Sequence, residues 1–245
     1  MAHNGLKLNN EKTEWIIFNG DSNVSKNVTL TVGGHVVQQT STIRNLGVIL
    51  DSAITLSPQV NNVCRLSYYH LRRVNKIRKY LTEYAVKTLV QALVTSRADY
   101  CNGIYFGLPA KHTRKLQLVQ NASARVITKT KRREHITPVL RNLHWLPIQK
   151  RSQYKMMLLV FNALYKHGPT YITDFLNWYT PSRTLRSMNT PTLTPIRSRS
   201  ITVHKRLLQG GCSELWNRLP NNVRCTKTFS AFKKQLKTYF FNCTD

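Results

Sequence analysis

Acidic side chains are few in this chain: 10 Asp and Glu stand against 37 Lys and Arg among 245 residues, and the surplus of +27 runs along the whole length. Nucleases and polymerases that work through paired magnesium ions need clustered carboxylates, whereas the closest acids here are Glu11 and Glu14. The five cysteines, at 64, 101, 212, 225 and 243, form no C-x-x-C pair. Their odd number and wide spacing argue against a disulfide framework or a zinc knuckle and for a reducing compartment. Neither G-x-x-x-x-G-K-S/T nor G-x-G-x-x-G occurs, so a loop that would cradle ATP or NAD is lacking. No histidine has an acid two positions on and no H-E-x-x-H appears, which leaves an iron facial triad or a zincin site without a basis. Nowhere do eighteen apolar residues run together, and Met1 to Gly20 hold no apolar h-region. The expectation is an intracellular protein, nuclear or cytoplasmic, with no membrane partner.

What is present is enough apolar material to fold, 41% of residues, with only 19% charged. The pattern predicts an α+β protein, mostly α. Lys12 to Phe18 reads as a short strand. Val28 to Val32 and His35 to Gln39 read as a hairpin turned by Gly33-Gly34, and Ile43 to Leu50 as a further strand. At Ser57-Pro58 the period changes, with serine as N-cap and proline at the first helical position, and a long helix runs to about Tyr80. A second helix covers Glu83 to about Arg97 with Thr82 as its cap, and a third Ala110 to about Thr128. Further helices begin at Leu146-Pro147 and, after Trp216 and Leu219-Pro220, near Phe229. Pro181 to Thr202 has the composition of a linker or clamp. The expected division is 1–54 with strands, 55–133 as a helical bundle, and 134–245 as a helical C-terminal region with the loop 181–202.

The helix after Ser57 has two faces. At about 100° per residue, Val60, Val63, Leu66, Leu71, Val74 and Ile77 share one side, and Arg65, Tyr69, Arg72, Lys76 and Lys79 share the other. Such a stripe is either a solvated face or a row of phosphate contacts. No acid lies between Asp51 and Glu83 to neutralise it, and like charges at i,i+4 destabilise a bare helix, which favours phosphate contact. The run Lys129, Lys131, Arg132 and Arg133 is a second basic candidate. Cys64 and Cys101 lack a recognisable catalytic partner and read as buried structural thiols.

Six strings occur in order: LKLNNEKTEWIIF from Leu6, IRNLGVILDS from Ile43, SRADYCNGIYFGLP from Ser96, LQLVQNASARVI from Leu116, HITPVLRNLHWLP from His135, and LWNRLP from Leu215. Together they resemble the C-terminal part of reverse transcriptases of LINE-type, non-LTR retrotransposons of the jockey-like group. The resemblance covers nearly the whole chain. It departs at Ala98 and at Gly210-Gly211-Cys212. It implies that Leu6 to Phe18 is the palm element after the catalytic motif, with Lys12 or a neighbour as the palm-element lysine. It further implies that Ile43 to Asp51 is the primer-grip region and that Pro58 to about Arg133 is the thumb on the template-primer duplex. The family's fingers, most of its palm, its Tyr-x-Asp-Asp motif and its endonuclease domain have no counterpart in these residues. Without the aspartates and their metals there is nothing for Lys12 to assist, so a solvated strand-end lysine is the preferred reading of it.

The resulting expectation is a part of an RNA-directed DNA polymerase that lacks the catalytic aspartates and, alone, is inactive. It would hold RNA, DNA or their hybrid through sequence-independent phosphate contacts, beside the missing fingers and palm. No catalytic residue, metal ligand, cofactor or small-molecule substrate is expected of this part; magnesium is implied only for the complete polymerase. The alternatives are a stand-alone basic nucleic-acid-binding protein derived from a retrotransposon, and a decayed reading frame without function.

Overall fold

The structure, a computed structural model, describes residues 9–18, 29–165, 168–181, 191–196 and 201–243. Helices make up 61% of it and the strands form two small antiparallel hairpins ahead of them, an α+β fold that is mostly α. The chain divides into two compact units, Met1–Val63 and Cys64–Asp245.

In the first unit, β1 (Leu30–Val32) pairs with β2 (His35–Val37) across Gly33-Gly34. Both glycines have positive φ, 58° and 82°, the conformation that a two-residue turn between right-twisted strands requires. The expected strand Ile43 to Leu50 is instead a second hairpin, β3 (Thr42–Asn45) with β4 (Val48–Asp51), turned at Leu46-Gly47. A leucine at φ 46° is an unusual turn residue, which is why the sequence pattern hides the turn. Lys12 to Phe18 is also not a strand. Asn10–Lys12 forms a 3-10 turn, held where Asn9 accepts the Lys12 N–H and the Thr13 hydroxyl. Strand character is reduced to one parallel bridge, Trp15 to Gln39, with the Trp15 indole donating to the Val37 carbonyl at 2.9 Å.

The Asp51 carboxylate closes β4 onto the first helix, accepting the N–H groups of Thr55 (2.8 Å) and Leu56 (2.7 Å). Ile54 and Leu56 have φ of 51° and 59°, a costly pair for such residues that these bonds hold in place. Gln59, buried, accepts the Ile49 N–H at 3.0 Å.

Helix α1 (Ser57–Ile77) continues as a 3-10 turn, Arg78–Tyr80. The second unit goes on with α2 (Glu83–Val90), α3 (Ser96–Asp99), α4 (Ala110–Thr128), α5 (Thr137–Asn142), α6 (Ile148–Leu164) and α7 (Thr170–Thr173). It ends with α8 (Ile201–Arg206), α9 (Ser213–Arg218), α10 (Asn221–Arg224) and α11 (Phe229–Asn242). Thr82 caps α2 as expected, its hydroxyl accepting the Ala85 N–H. The helix expected over Glu83 to Arg97 runs without interruption to Asp99, with a π turn at Gln91–Thr95 inside it. The widened turn loosens backbone pairing, and the Ser96 hydroxyl and Arg97 guanidinium donate to the carbonyls of Ala92 and Leu93. The short helix α5 adds to the elements that the sequence pattern predicts.

Two apolar cores lie in this unit. One joins α1, α2, the π turn, α4 and α5 through Leu71, Val74, Val86, Val90, Val94, Val119, Ile127 and Trp145, so the three amphipathic helices bury their stripes on one another. The other gathers α6, α9 and α11: Phe161 stacks on Phe232 with centroids 4.3 Å apart, and Trp216 lies 5.8 Å from Phe232. Most of the expected loop Pro181 to Thr202 lies outside the described residues, including Arg183, Arg186, Arg197 and Arg199. Residues 191–196 do not behave as linker: Leu193 is buried in the second core and bridges antiparallel to Trp178. Gly211 packs so closely on the Lys205 carbonyl that a Cβ would come within 2.3 Å of it, a physical reason for glycine there.

Candidate nucleic-acid interface

Burial divides α1 cleanly. Val60, Val63, Leu71 and Val74 are buried, while Arg65, Tyr69, Arg72, Lys76 and Lys79 are all exposed on the opposite side. Leu66 is half-buried. Ile77, expected in the apolar face, is 46% exposed: it is the last residue of α1, and at about 100° per residue it falls at the edge of the buried stripe. The row from Arg65 to Lys76 spans about 16 Å at 1.5 Å per residue.

Neighbours that the sequence pattern does not reveal enlarge this face. Arg73 is exposed and donates to the Tyr69 hydroxyl at 2.8 Å, its guanidinium 5.5 Å from the ring centroid. Tyr69 therefore orients a cation instead of standing alone. Lys79 lies over the Tyr80 ring at 4.7 Å. His70 meets Tyr69 edge-on; burial first, then the charges of Arg97 and Arg73, lower its pKa. Arg97 follows α2 and the π turn, so its field reaches α1 from a second element.

Arg78 has a different role, although it is one residue from Lys79. Its guanidinium donates to the carbonyls of Val126 (3.0 Å), Ile127 (2.9 Å) and Leu81 (3.1 Å). It thus satisfies the C-terminal carbonyls of α4, where a cation also meets the negative end of the helix dipole. This joint brings the end of the α1 stripe beside the second basic run. Lys129 is the left-handed cap of α4, with φ 58°, and Lys129, Lys131, Arg132 and Arg133 are exposed. The run is folded back on itself: Glu134 accepts the Lys131 N–H at 3.2 Å, and Arg125 donates to the Glu134 carbonyl. A carboxylate thus sits inside this run, in contrast to α1.

Ion pairs among the described residues include Arg151–Asp99, His204–Glu214 and Arg218–Glu214; none of these involves Arg72, Lys76 or Lys79. No group of three His, Cys, Asp or Glu suited to a metal ion is found among them, and no helix among them is long and apolar enough to cross a membrane. Lys12 is exposed in its 3-10 turn within the first unit. Cys101 is exposed, not buried, at φ 50°. Cys64 is half-buried, and burial raises its pKa against the opposing charge of Lys115. Cys212 is the buried thiol, its pKa pushed up to about 12 by burial.

Comparisons with protein-family models, with curated proteins and with solved structures find no match. The strings picked out in the sequence have visible structural work here. Asp99, in the string that starts at Ser96, pairs with Arg151; Trp145 and Leu146 are core; and Pro109, Pro147 and Pro220 each precede a helix.

Proposed function

We propose that this chain is the end of the palm, the thumb and the C-terminal region of a non-LTR retrotransposon reverse transcriptase. In this reading it holds template-primer nucleic acid, RNA, DNA or their hybrid, through phosphate contacts without base readout. The observation that carries the proposal is the exposed cationic face of α1, backed by a buried apolar face and extended by Arg73 and Arg97. Arg72, Lys76 and Lys79, at i, i+4 and i+7, repel one another on a bare helix; a polyanion along this face turns that repulsion into affinity by releasing counterions. The six ordered strings support the family assignment, and magnesium belongs, in this reading, to the carboxylates of the complete polymerase.

The test is nucleic-acid binding measured over a series of salt concentrations. Reversing Arg65, Arg72, Lys76 and Lys79 to glutamate weakens binding on every sequence alike and flattens the slope of log affinity against log salt by about 0.9 per lost duplex contact. An unchanged affinity in the quadruple variant refutes the assignment. Primer elongation by the purified chain in magnesium buffer refutes the restriction to binding.

A further inference from the structure

A hollow of about 490 Å³ opens where the π turn Gln91–Thr95 meets α3, α6 and α11, and no residue of α1 lines it. Its floor is a closed ion pair. Arg151 donates to both carboxylate oxygens of Asp99, at 2.9 and 2.7 Å, and through Nε to the Leu146 carbonyl at 2.9 Å, while its guanidinium lies over the Trp145 ring. Asp99, the acid of this lining, is thereby neutralised within the protein.

Among the described residues the lysines of the rim have no carboxylate partner. Lys155 of α6 and Lys233 and Lys237 of α11 all line the hollow, all are exposed, and none is in an ion pair among the described residues. Three lysines lining one concavity, with the Lys237 ammonium 5.9 Å from the Phe241 ring centroid, give it a positive field. The lining is mixed: Leu146, Leu158 and the half-buried Tyr154 supply an apolar part, and Gln91, Thr95, Asn102 and His144 a polar one. A duplex presents sugar and phosphate outward and keeps its bases stacked inside, so it can use the rim but not the walls. An unpaired strand offers both a phosphate and a flat base, the combination that cationic grooves with aromatic side chains take up. The size is that of an ordinary ligand pocket.

We propose that this hollow is a second nucleic-acid site, one that takes a single unpaired strand with its phosphates on Lys155, Lys233 and Lys237 and a base against Tyr154 and Leu158. The proposal rests on the nucleic-acid reading of the chain and adds that α1 and the hollow serve different forms of the polymer.

The experiment compares a labelled single strand and a blunt duplex of equal length, each bound to the wild-type chain, to K155E/K233E/K237E and to the α1 quadruple reversal. The expected result is a tenfold or greater loss of single-strand affinity in the triple variant, a slope flatter by about 0.7 per lost single-strand contact, and duplex affinity within twofold of wild type. The α1 reversal shows the opposite preference. Equal losses on both polymers, or no loss on the single strand while wild type still binds duplex, overturn the second site and leave the function standing. A wild-type chain that binds neither overturns both. Should the glutamates disturb folding in a thermal melt, the triple Lys→Gln variant separates the same outcomes, with a smaller loss confined to the single strand.

Discussion

The side chain of Asn217 pairs with the backbone of Leu193 as a neighbouring strand would: its Oδ1 accepts the Leu193 N–H at 2.9 Å and its Nδ2 donates to the Leu193 carbonyl at 2.8 Å. Two residues earlier in the segment, the Pro191 carbonyl accepts from the Trp216 indole (3.0 Å) and from Arg224 (3.3 Å). Residues 191–196 are thus stitched to α9 and α10 without belonging to a sheet. Asn217→Ala leaves two backbone groups unpaired at about 1–3 kcal/mol each, and Asn217→Asp is as damaging, since a carboxylate cannot donate to the carbonyl. A lowered urea midpoint, with faster exchange of the Leu193 amide, is the expected measurement; an unchanged midpoint refutes the clamp.

Arg78 and Lys76 lie two residues apart and should separate stability from binding. Arg78→Met removes the donor shared by three carbonyls and costs about 1.5–3 kcal/mol, as for hydrogen bonds from a charged group. Lys76→Met, on an exposed face, changes stability by less than about 0.5 kcal/mol and weakens nucleic-acid binding. Denaturant midpoints and binding isotherms of the two variants, measured side by side, are expected to cross.

The Asp51 carboxyl sets an acid limit on the first unit. Burial raises its pKa, but the hydrogen bonds from Thr55 and Leu56 outweigh burial and leave it below its ordinary 3.8. A depressed carboxyl contributes stability that is present above the unfolded pKa and lost as pH falls through the folded one. Wild type therefore loses stability on acidification below the ordinary carboxylate range, and Asp51→Asn is less stable at neutral pH while lacking that part of the loss. Parallel stability curves for the two proteins, followed from neutral pH down through the carboxylate range, would refute the role.

His70 reports on the α1 face. Burial, Arg97 and Arg73 lower its pKa in the free chain, and a phosphate brought among these groups must raise it. Proton uptake on binding follows, so affinity rises as pH falls through the His70 titration, and His70→Ala flattens that dependence. The imidazole shift followed by NMR with and without an oligonucleotide decides this; a pKa unmoved by saturating nucleic acid places the polymer elsewhere.

The long helices are legible in the sequence because each combines a helical apolar period with a local start signal. The bounds expected from Ala110 to Thr128 are those of α4, and Ser57-Pro58 begins α1. The hairpin at Gly33-Gly34 is legible for the same local reason. Leu46-Gly47 is not, since leucine rarely adopts positive φ, and neither is the π turn, which no local residue pattern marks. Of the candidate site, the charges of α1 are readable from spacing. Arg73 and Arg97 are not, because one lies at the edge of the stripe and the other comes from a different helix.

Composition and period by themselves determined that this chain is basic throughout, mostly helical, and cationic along one side of its first long helix. Only the tertiary structure decided which cations remain available to a partner: Arg78 is turned onto the carbonyls of α4, Arg151 onto Asp99, and Arg224 onto the Pro191 carbonyl and Thr192. The reason is physical. A helical period tells which way a side chain leaves its own axis, while the acceptors that fix a guanidinium lie tens of residues away in sequence, where no local pattern records them.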